Sequence, residues 1–353
     1  MRTRSAENTP SSPGGVIAVI GGIIQDMVFE TERMPGNDES LDATSLKYMP
    51  GGKGSNTSVA IYRAQHKRPI SYNSADNGAA EENDDGEDVQ TVVQVYINTA
   101  VGNDNFGRQL KRKLEKNGVN VSGVRQLKNE DTGTCAVFVD SYSGQSRDIG
   151  YPGANTHWTP RNSSVECLAD GYTPDLIVAH LETKRETVEG ILQTAHNNNV
   201  DTLLNPSPVT YLLSSVYKHV THLVVNEREA AELSGVAAPE ELISREKWQE
   251  AARRFLKWGV QNVVITLGEK GAFYATKGKE GLVPAVSDVQ VKDTTGAGDT
   301  FVGNYALEYV LQKLNGDWDI EKAVSRGCKA AARTIEQLGA QESIPWADEI
   351  SKQ

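Results

Sequence analysis

Near the C-terminus runs Asp293-Thr294-Thr295-Gly296-Ala297-Gly298-Asp299, which holds the residue types needed for work on a phosphoryl group. An amphipathic helical pattern follows at once and is read as Asp299 to Leu314. A helix start carries backbone N–H groups without intrahelical partners and a partial positive charge. Small residues let an anion approach that backbone closely. The backbone of Gly296, Ala297 and Gly298 is therefore a candidate anion hole, with the Asp299 carboxylate beside it. As a plain helix cap, Asp299 would need no run of glycines before it. A carboxylate next to an anion hole is the arrangement that deprotonates an alcohol attacking a phosphoryl group.

Other phosphate-handling motifs are missing. Gly52-Lys53 does not complete a Walker A loop, because Lys47 stands where the first Gly belongs and Gly54 where Ser or Thr belongs. Gly21-Gly22 follows the first apolar run but continues as Ile23-Ile24, so no dinucleotide fingerprint is formed. The protein-kinase motif set is absent. No HExxH occurs among the six histidines, and the three cysteines, Cys135, Cys167 and Cys328, have no metal-ligand spacing.

The elements that must position these residues are legible as alternating strands and helices. Val16 to Ile20 is a β-branched run of the kind buried on both faces of a parallel sheet. Met27 to Thr31 and Leu41 to Tyr48 read as more exposed strands around the turn-forming Pro35-Gly36-Asn37-Asp38. Gly51-Gly52-Lys53-Gly54 opens a helix read as Ser55 to Gln65. Further strands are expected at Gln94–Val101, Leu176–Ala179, Thr202–Leu204, His222–Val225 and Asn262–Thr266. Helices are expected at Phe106–Asn117, Glu186–Asn198, Glu227–Ser234, Lys247–Trp258 and Ile320–Gln337. Thr134 to Asp140, followed by Ser143-Gly144, reads as one arm of a hairpin. This alternation implies βαβ units and a parallel sheet covered by helices.

Composition sets limits. The net charge is −11 over 353 residues, which argues against binding nucleic acid or an anionic membrane. Part of that charge is local. Asp76, Glu81, Glu82, Asp84, Asp85, Glu87 and Asp88 crowd a stretch, about 67–90, that reads as a solvated, disordered surface insertion. Residues 1–15 read as a flexible tail without a signal-peptide core. No stretch reaches the ~20 apolar residues of a membrane span. The odd cysteine count suggests reduced thiols and a cytoplasmic setting, with the nucleus also open.

Two signatures together carry a resemblance. Gly51-Gly52-Lys53-Gly54-Ser55-Asn56 resembles an N-terminal sugar-binding motif, and Asp293 to Phe301 a C-terminal catalytic motif, of the ribokinase-like (phosphofructokinase B-type) carbohydrate kinase family. Smaller matches are Val101 to Gly107, Gly153-Ala154-Asn155, Asn205-Pro206-Ser207-Pro208 and Gly339-Ala340-Gln341-Glu342-Ser343. The likeness spans about 16–350 and implies a three-layer, Rossmann-like α/β domain. It also implies a small β-sheet lid from about 27–48 and 134–151, and a homodimer formed through the lid.

The resemblance implies ATP-dependent phosphorylation of D-ribose at its 5-hydroxyl. Asp299 would be the base, and Gly296, Ala297 and Gly298 the anion hole. Asp26, Gly52, Lys53, Asn56, Glu182 and Asp299 would hold the sugar. Asn226 and Glu229 would hold the triphosphate and, through water, Mg²⁺. Thr266, Gly268, Gly271, Gly298 and Cys328 would flank the nucleotide. A potassium ion would sit among Asp293, Thr295, Thr334, Gln337, Gly339 and Ser343. Ile24 and Cys328 depart from the commonest family residues at their positions. Rival readings are another acceptor (fructose, 2-keto-3-deoxygluconate or adenosine) or a non-catalytic sugar sensor.

Overall fold

The first strand, β1 (Gly15–Ile20), is buried along its whole length, as its unbroken apolar run requires. In the computed structural model the residues described are 14–69, 93–142, 146–236, 238, 241–242 and 244–351. Residues 1–13 of the tail, most of the acidic stretch and the Ser143-Gly144 turn lie outside them.

After β1 come β2 (Ile24–Thr31), β3 (Ser45–Gly51) and helix α1 (Lys53–Arg63). Then follow β4 (Val93–Gly102), α2 (Asn105–Lys116), β5 (Asn120–Leu127), β6 (Gly133–Asp140) and β7 (Ser146–Tyr151). The next units are β8 (Leu176–His180), α3 (Arg185–Asn197), β9 (Asp201–Asn205), β10 (His222–Asn226), α4 (Glu227–Ser234) and α5 (Arg245–Trp258). The chain closes with β11 (Asn262–Thr266), β12 (Ala272–Thr276), β13 (Glu280–Val283), α6 (Ala297–Asn315), α7 (Ile320–Thr334) and the short α8 (Ala347–Ile350).

Nine strands form one sheet in the order β13-β12-β11-β10-β9-β8-β1-β4-β5, parallel from β5 through β11 and antiparallel at β12 and β13. Side-chain alternation splits the core between its two faces. Ile17 and Val19 join Val59, Leu110 and Tyr305 under α1, α2 and α6. Ala18 and Ile20 join Val188, Ala230 and Phe255 under α3, α4 and α5. The chain runs from β1 outward to β4 and β5, then returns to lay β8 on the other side of β1. That reversal opens a crevice at the carboxyl ends of β1 and β8, where open α/β sheets bind ligands.

A second sheet, β3-β2-β6-β7, stands beside the first. Its registers pair Asp26 with Met49 and Cys135, and Met27 with Tyr48 and Ala136, so the two sets lie on opposite faces. The face bearing Asp26 turns toward the crevice. The other face carries Met27, Phe29, Leu46, Tyr48, Ala136, Phe138, Ile149 and Tyr151, with Phe29 stacked on Phe138. This sheet matches the expected lid.

Several bounds shift from the sequence reading. Leu41 to Thr44 is not a strand; β3 begins at Ser45 and runs on to Gly51, because its pairing with β2 extends to Ile24. α1 begins at Lys53, two residues earlier than expected. α7 ends at Thr334 rather than Gln337, and the following residues form a loop against α6. β5, β12 and β13 were not anticipated. β5 is an outer strand with polar residues at alternate places, and β13 has only four residues.

Candidate active site

The sheet order brings Gly21-Gly22, Glu182, Asn226 and Thr266 to one edge, at or just beyond the ends of β1, β8, β10 and β11. Across that edge lie the starts of α1 and α6. The start of α1 must come very close to β1. A Cβ on Gly54 would stand 2.6 Å from the carbonyl carbon of Gly21, and one on Gly21 would stand 2.7 Å from Cα of Gly54. Both are backbone contacts, so neither position has room for a side chain.

Glu182 closes this corner. Its Oε2 accepts the amides of Gly22 and Gly54 (2.5 and 3.0 Å), and Oε1 accepts the amide of Lys53 at 2.9 Å. A carboxylate is favoured there by the α1 dipole. The sequence reading gave Glu182 to the sugar. Here three of its roughly four acceptor positions serve the backbone, leaving one for a ligand.

Asp299 lies in the first turn of α6 and is 8% exposed. Its Oδ2 accepts a 2.8 Å hydrogen bond from Nδ2 of Asn56, on α1. Asn56 is buried, and its own Oδ1 has no partner among the described residues. The amide end fixes the carboxylate while the carbonyl end remains an unused acceptor within the site. Lys53 stands in the same field: the Asp299 carboxylate, foremost, raises its ammonium pKa against the opposing effect of burial, with Glu182 and Glu229 helping.

The turn before α6 depends on Gly296, whose φ of 78° is left-handed and on which a Cβ would stand 3.0 Å from Ala340 O. The Ala297 amide is directed back to Thr294 O at 3.3 Å. The amides of Gly296, Gly298 and Asp299 have no such partner among the described residues. Of the three residues expected to form an anion hole, Gly296, Ala297 and Gly298, Ala297 has its amide turned into the loop, while the neighbouring Asp299 amide has no backbone partner among the described residues.

Asp26, on β2, faces the site from the lid. A Cβ on Gly51 would overlap its carboxyl oxygen, which explains glycine there. Burial, aided by the negative charges of Glu182, Glu342, Asp148 and Asp299, pushes the Asp26 pKa up to about 7.

On the nucleotide side, Asn226 and Glu229 form a capping box on α4: Oδ1 of Asn226 accepts the Glu229 amide at 2.8 Å, and Oε2 of Glu229 accepts the Asn226 amide at 2.9 Å. Burial raises the pKa of Glu229, opposed by the Asn226 amide, the Ser207 hydroxyl and Lys53. Gly271 packs against the backbone of Val283 to Ala285. Cys328, on α7, lines a groove of about 950 Å³ with Val283 to Ser287. Thr266, Gly268 and Gly271 do not line that groove; Gly271 borders it through Val283 to Ala285.

Asp293 joins two loops. Its Oδ1 accepts the Thr295 amide and its Oδ2 the Gly339 amide, both at 2.9 Å. Burial raises its pKa, but these bonds and the Thr295 hydroxyl prevail and leave it below the usual carboxylate range. The Thr334 carbonyl accepts the Gln337 amide, and Ser343 Oγ donates to Ala340 O. Every residue of the expected cation site therefore lies on these two joined segments or at their border. Carbonyls plus one carboxylate form a hard-oxygen donor set, which fits an alkali cation.

Three supporting residues escaped the sequence reading. Arg63, buried on α1, donates to Gln341 O and Ile344 O at 2.7 and 2.9 Å and so anchors the C-terminal loop. Gln341 Nε2 donates to Ser55 Oγ at 2.9 Å. Glu342 sits near enough to Asp26 to raise its pKa. Only Gln341 and Glu342 had a signal, as members of the Gly339–Ser343 segment.

A buried carboxylate at an open helix end, beneath a lid and beside a lysine, defines an enzyme that transfers a phosphoryl group to an alcohol. The chain matches the pfkB family carbohydrate kinase pattern over residues 16–347, and it belongs to that family. It is an ATP-dependent sugar kinase. It is 31% identical over 339 residues to a ribokinase of Schizosaccharomyces pombe, covering 95% of this chain and 96% of that one. A deoxyribokinase of Salmonella typhi is 30% identical, with 95% and 97% covered. Among solved structures, ribokinase from Thermotoga maritima superposes with a TM-score of 0.74 at 27% identity, covering 95% and 97%. The Arabidopsis thaliana ribokinase complexed with ribose and ATP has the same fold, with a TM-score of 0.78 at 23% identity over 96% and 98% of the two chains.

Proposed function

We propose that this protein phosphorylates D-ribose at its 5-hydroxyl with ATP. The observation that carries this reading is the Asn56–Asp299 pair, with one bonded edge and one unused acceptor, set beside free amides at the α6 start. The sugar would lie between Asp26 on the lid and the Gly52-Lys53-Asn56 face, with Glu182 offering its remaining acceptor. Asp299 would accept the hydroxyl proton as the oxygen attacks. The amides of Gly296, Gly298 and Asp299, with the Lys53 ammonium, would stabilise charge on the transferred group.

ATP would place its triphosphate across Asn226 and Glu229 toward α6, flanked by Thr266, Gly268, Gly271 and Cys328. Glu229 is largely committed to its capping box, so Mg²⁺ would be held by phosphate oxygens and water, as that ion prefers, and would neutralise phosphate charge. A potassium ion bound at Asp293, Thr295, Thr334, Gln337, Gly339 and Ser343 would set the anion-hole turn. The outer lid face would pair with a second copy of the chain.

A second acceptor, 2-deoxyribose, is favoured by the near-equal identity of the Salmonella deoxyribokinase. A coupled assay across ribose, 2-deoxyribose, fructose, 2-keto-3-deoxygluconate and adenosine, run in potassium and in sodium, separates the readings. Ribose is expected to give the highest kcat/KM, and potassium the higher rate. Ribose ranking below another acceptor sinks the assignment, and equal rates in the two salts sink the cation site. Asp299→Asn is expected to lower kcat at least ~10²-fold, in line with general-base contributions, while sugar binding by calorimetry persists. Full turnover in that variant would remove Asp299 from the role of base.

A further inference from the structure

His180 is wholly buried at the end of β8, two residues before Glu182. Its Nδ1 lies 3.0 Å from Oδ1 of Asn205, and its Nε2 lies 3.0 Å from Oγ1 of Thr57. The Asn205 amide nitrogen donates to Val224 O at 2.9 Å, and a carbonyl cannot receive another carbonyl there. Oδ1 of Asn205 is therefore an acceptor, and Nδ1 of His180 must carry the hydrogen. Burial, foremost, lowers the His180 pKa despite the nearby negative charges of Asp299 and Glu182. With the ring neutral, Nε2 has a free lone pair, and the Thr57 hydroxyl donates to it.

Thr57 immediately follows Asn56 on α1. The side chain of Thr57 reaches back to β8, while Asn56 reaches across to Asp299. The first turn of α1 is thus held to β8 twice, at its end by Glu182 on the Lys53 and Gly54 amides, and one turn on by His180 on Thr57. The end bonds fix where the helix starts. The Thr57 bond adds a side-chain tie to the packing of Ala60 against Gly303 of α6, on the turn that carries Asn56.

We infer that His180, as the Nδ1–H tautomer, is a positioning residue that sets α1 through Thr57 so that Asn56 orients Asp299. It touches neither sugar nor phosphate. The inference rests on Asp299 being the base of the proposed reaction, although the hydrogen-bond chain itself stands without it.

The test uses the full chain. Thr57→Val is nearly isosteric and removes only the hydroxyl. It is expected to lower kcat about tenfold, since small misplacement of reacting groups is costly, with KM for ATP unchanged. Thr57→Ser restores the hydroxyl and is expected to recover the loss. Adding Asn56→Ala to Thr57→Val should cost far less than Asn56→Ala alone, because the two act through one contact. Additive losses, or an unchanged kcat in Thr57→Val, overturn the inference. Nitrogen-15 shifts of the His180 ring provide a readout besides turnover, with protonated Nδ1 and unprotonated Nε2 expected. A ring protonated at Nε2 overturns the inference even if the wild-type protein phosphorylates none of the sugars, an outcome that would by itself refute only the proposed reaction.

Discussion

On the proposed reading, Asp26 carries two opposed demands. A sugar hydroxyl is held best by an ionised carboxylate, yet burial and four neighbouring carboxylates hold the Asp26 pKa at about 7, against an ordinary 3.8. The folded state therefore binds this proton more tightly than the unfolded chain does. The sign follows: the contribution to stability is intact below about pH 4, falls as pH rises toward 7, and stays lost above it. Asp26→Asn is expected to raise the melting temperature at pH 8 and to flatten its fall between pH 4 and 7. The same change should raise the sugar KM by about tenfold or more, the cost of a lost charged hydrogen bond. Melting curves and initial rates across that range check both. A wild-type melting temperature that rises from pH 4 to 7 in step with the variant's would contradict the account. How far such residues could be read in advance differs with their chemistry. The place of Asp299 at a helix start was legible because Gly296 and Gly298 stand just before an amphipathic run. The three amides on Glu182 were not, since they lie 128 to 160 residues away along the chain.

At the scale of elements, α1 is the part with least freedom. Its start touches β1 backbone to backbone at Gly21 and Gly54. Gly54→Ala would gain up to ~1 kcal/mol in helix propensity, but its Cβ would meet backbone on β1, and such overpacking costs about 1–3 kcal/mol. The expected result is a lower denaturant midpoint and a raised sugar KM, as Lys53 and Asn56 move together; an unchanged midpoint would show that the corner can yield. Strand periodicity made most of the large sheet legible, because parallel core strands such as β1 and β8 are continuous apolar runs. It failed at β5, where Asn120, Ser122 and Arg125 leave too few apolar places, and at β12 and β13, where Gly271 and the short strands read as turn. The α4 start could be seen in the sequence as Asn226 and Glu229, though its double use as cap and site border could not.

For the whole molecule, the lid's outer face is the surface that the proposed second copy would cover. Tyr48 approaches Phe106 of α2, yet Leu46, Tyr48, Ile149 and Tyr151 remain 44–71% exposed on that face. The sheet also ends in two unpaired edge strands, β3 and β7. A second copy, bringing the same face, would cover both kinds of surface by a two-fold arrangement. Sedimentation is expected to show a dimer at micromolar concentration, and Ile149→Asp is expected to shift it toward monomer with a weaker sugar KM. A wild-type monomer at those concentrations would exclude the arrangement.

Helix starts compete for negative charge, and the starts of α1, α4 and α6 border this crevice. At α1 the first two amides are already occupied by Glu182, and the next two bond Gly22 O and Gly52 O. At α4 the Asn226 and Glu229 amides are taken by the helix's own capping box. At α6 the Gly298 and Asp299 amides have no partner among the described residues. On the proposed reading, a phosphate crossing from α4 would be drawn to those amides, beside the base. The direction of transfer would then follow as much from the helix start that Glu182 fills as from the one beside Asp299.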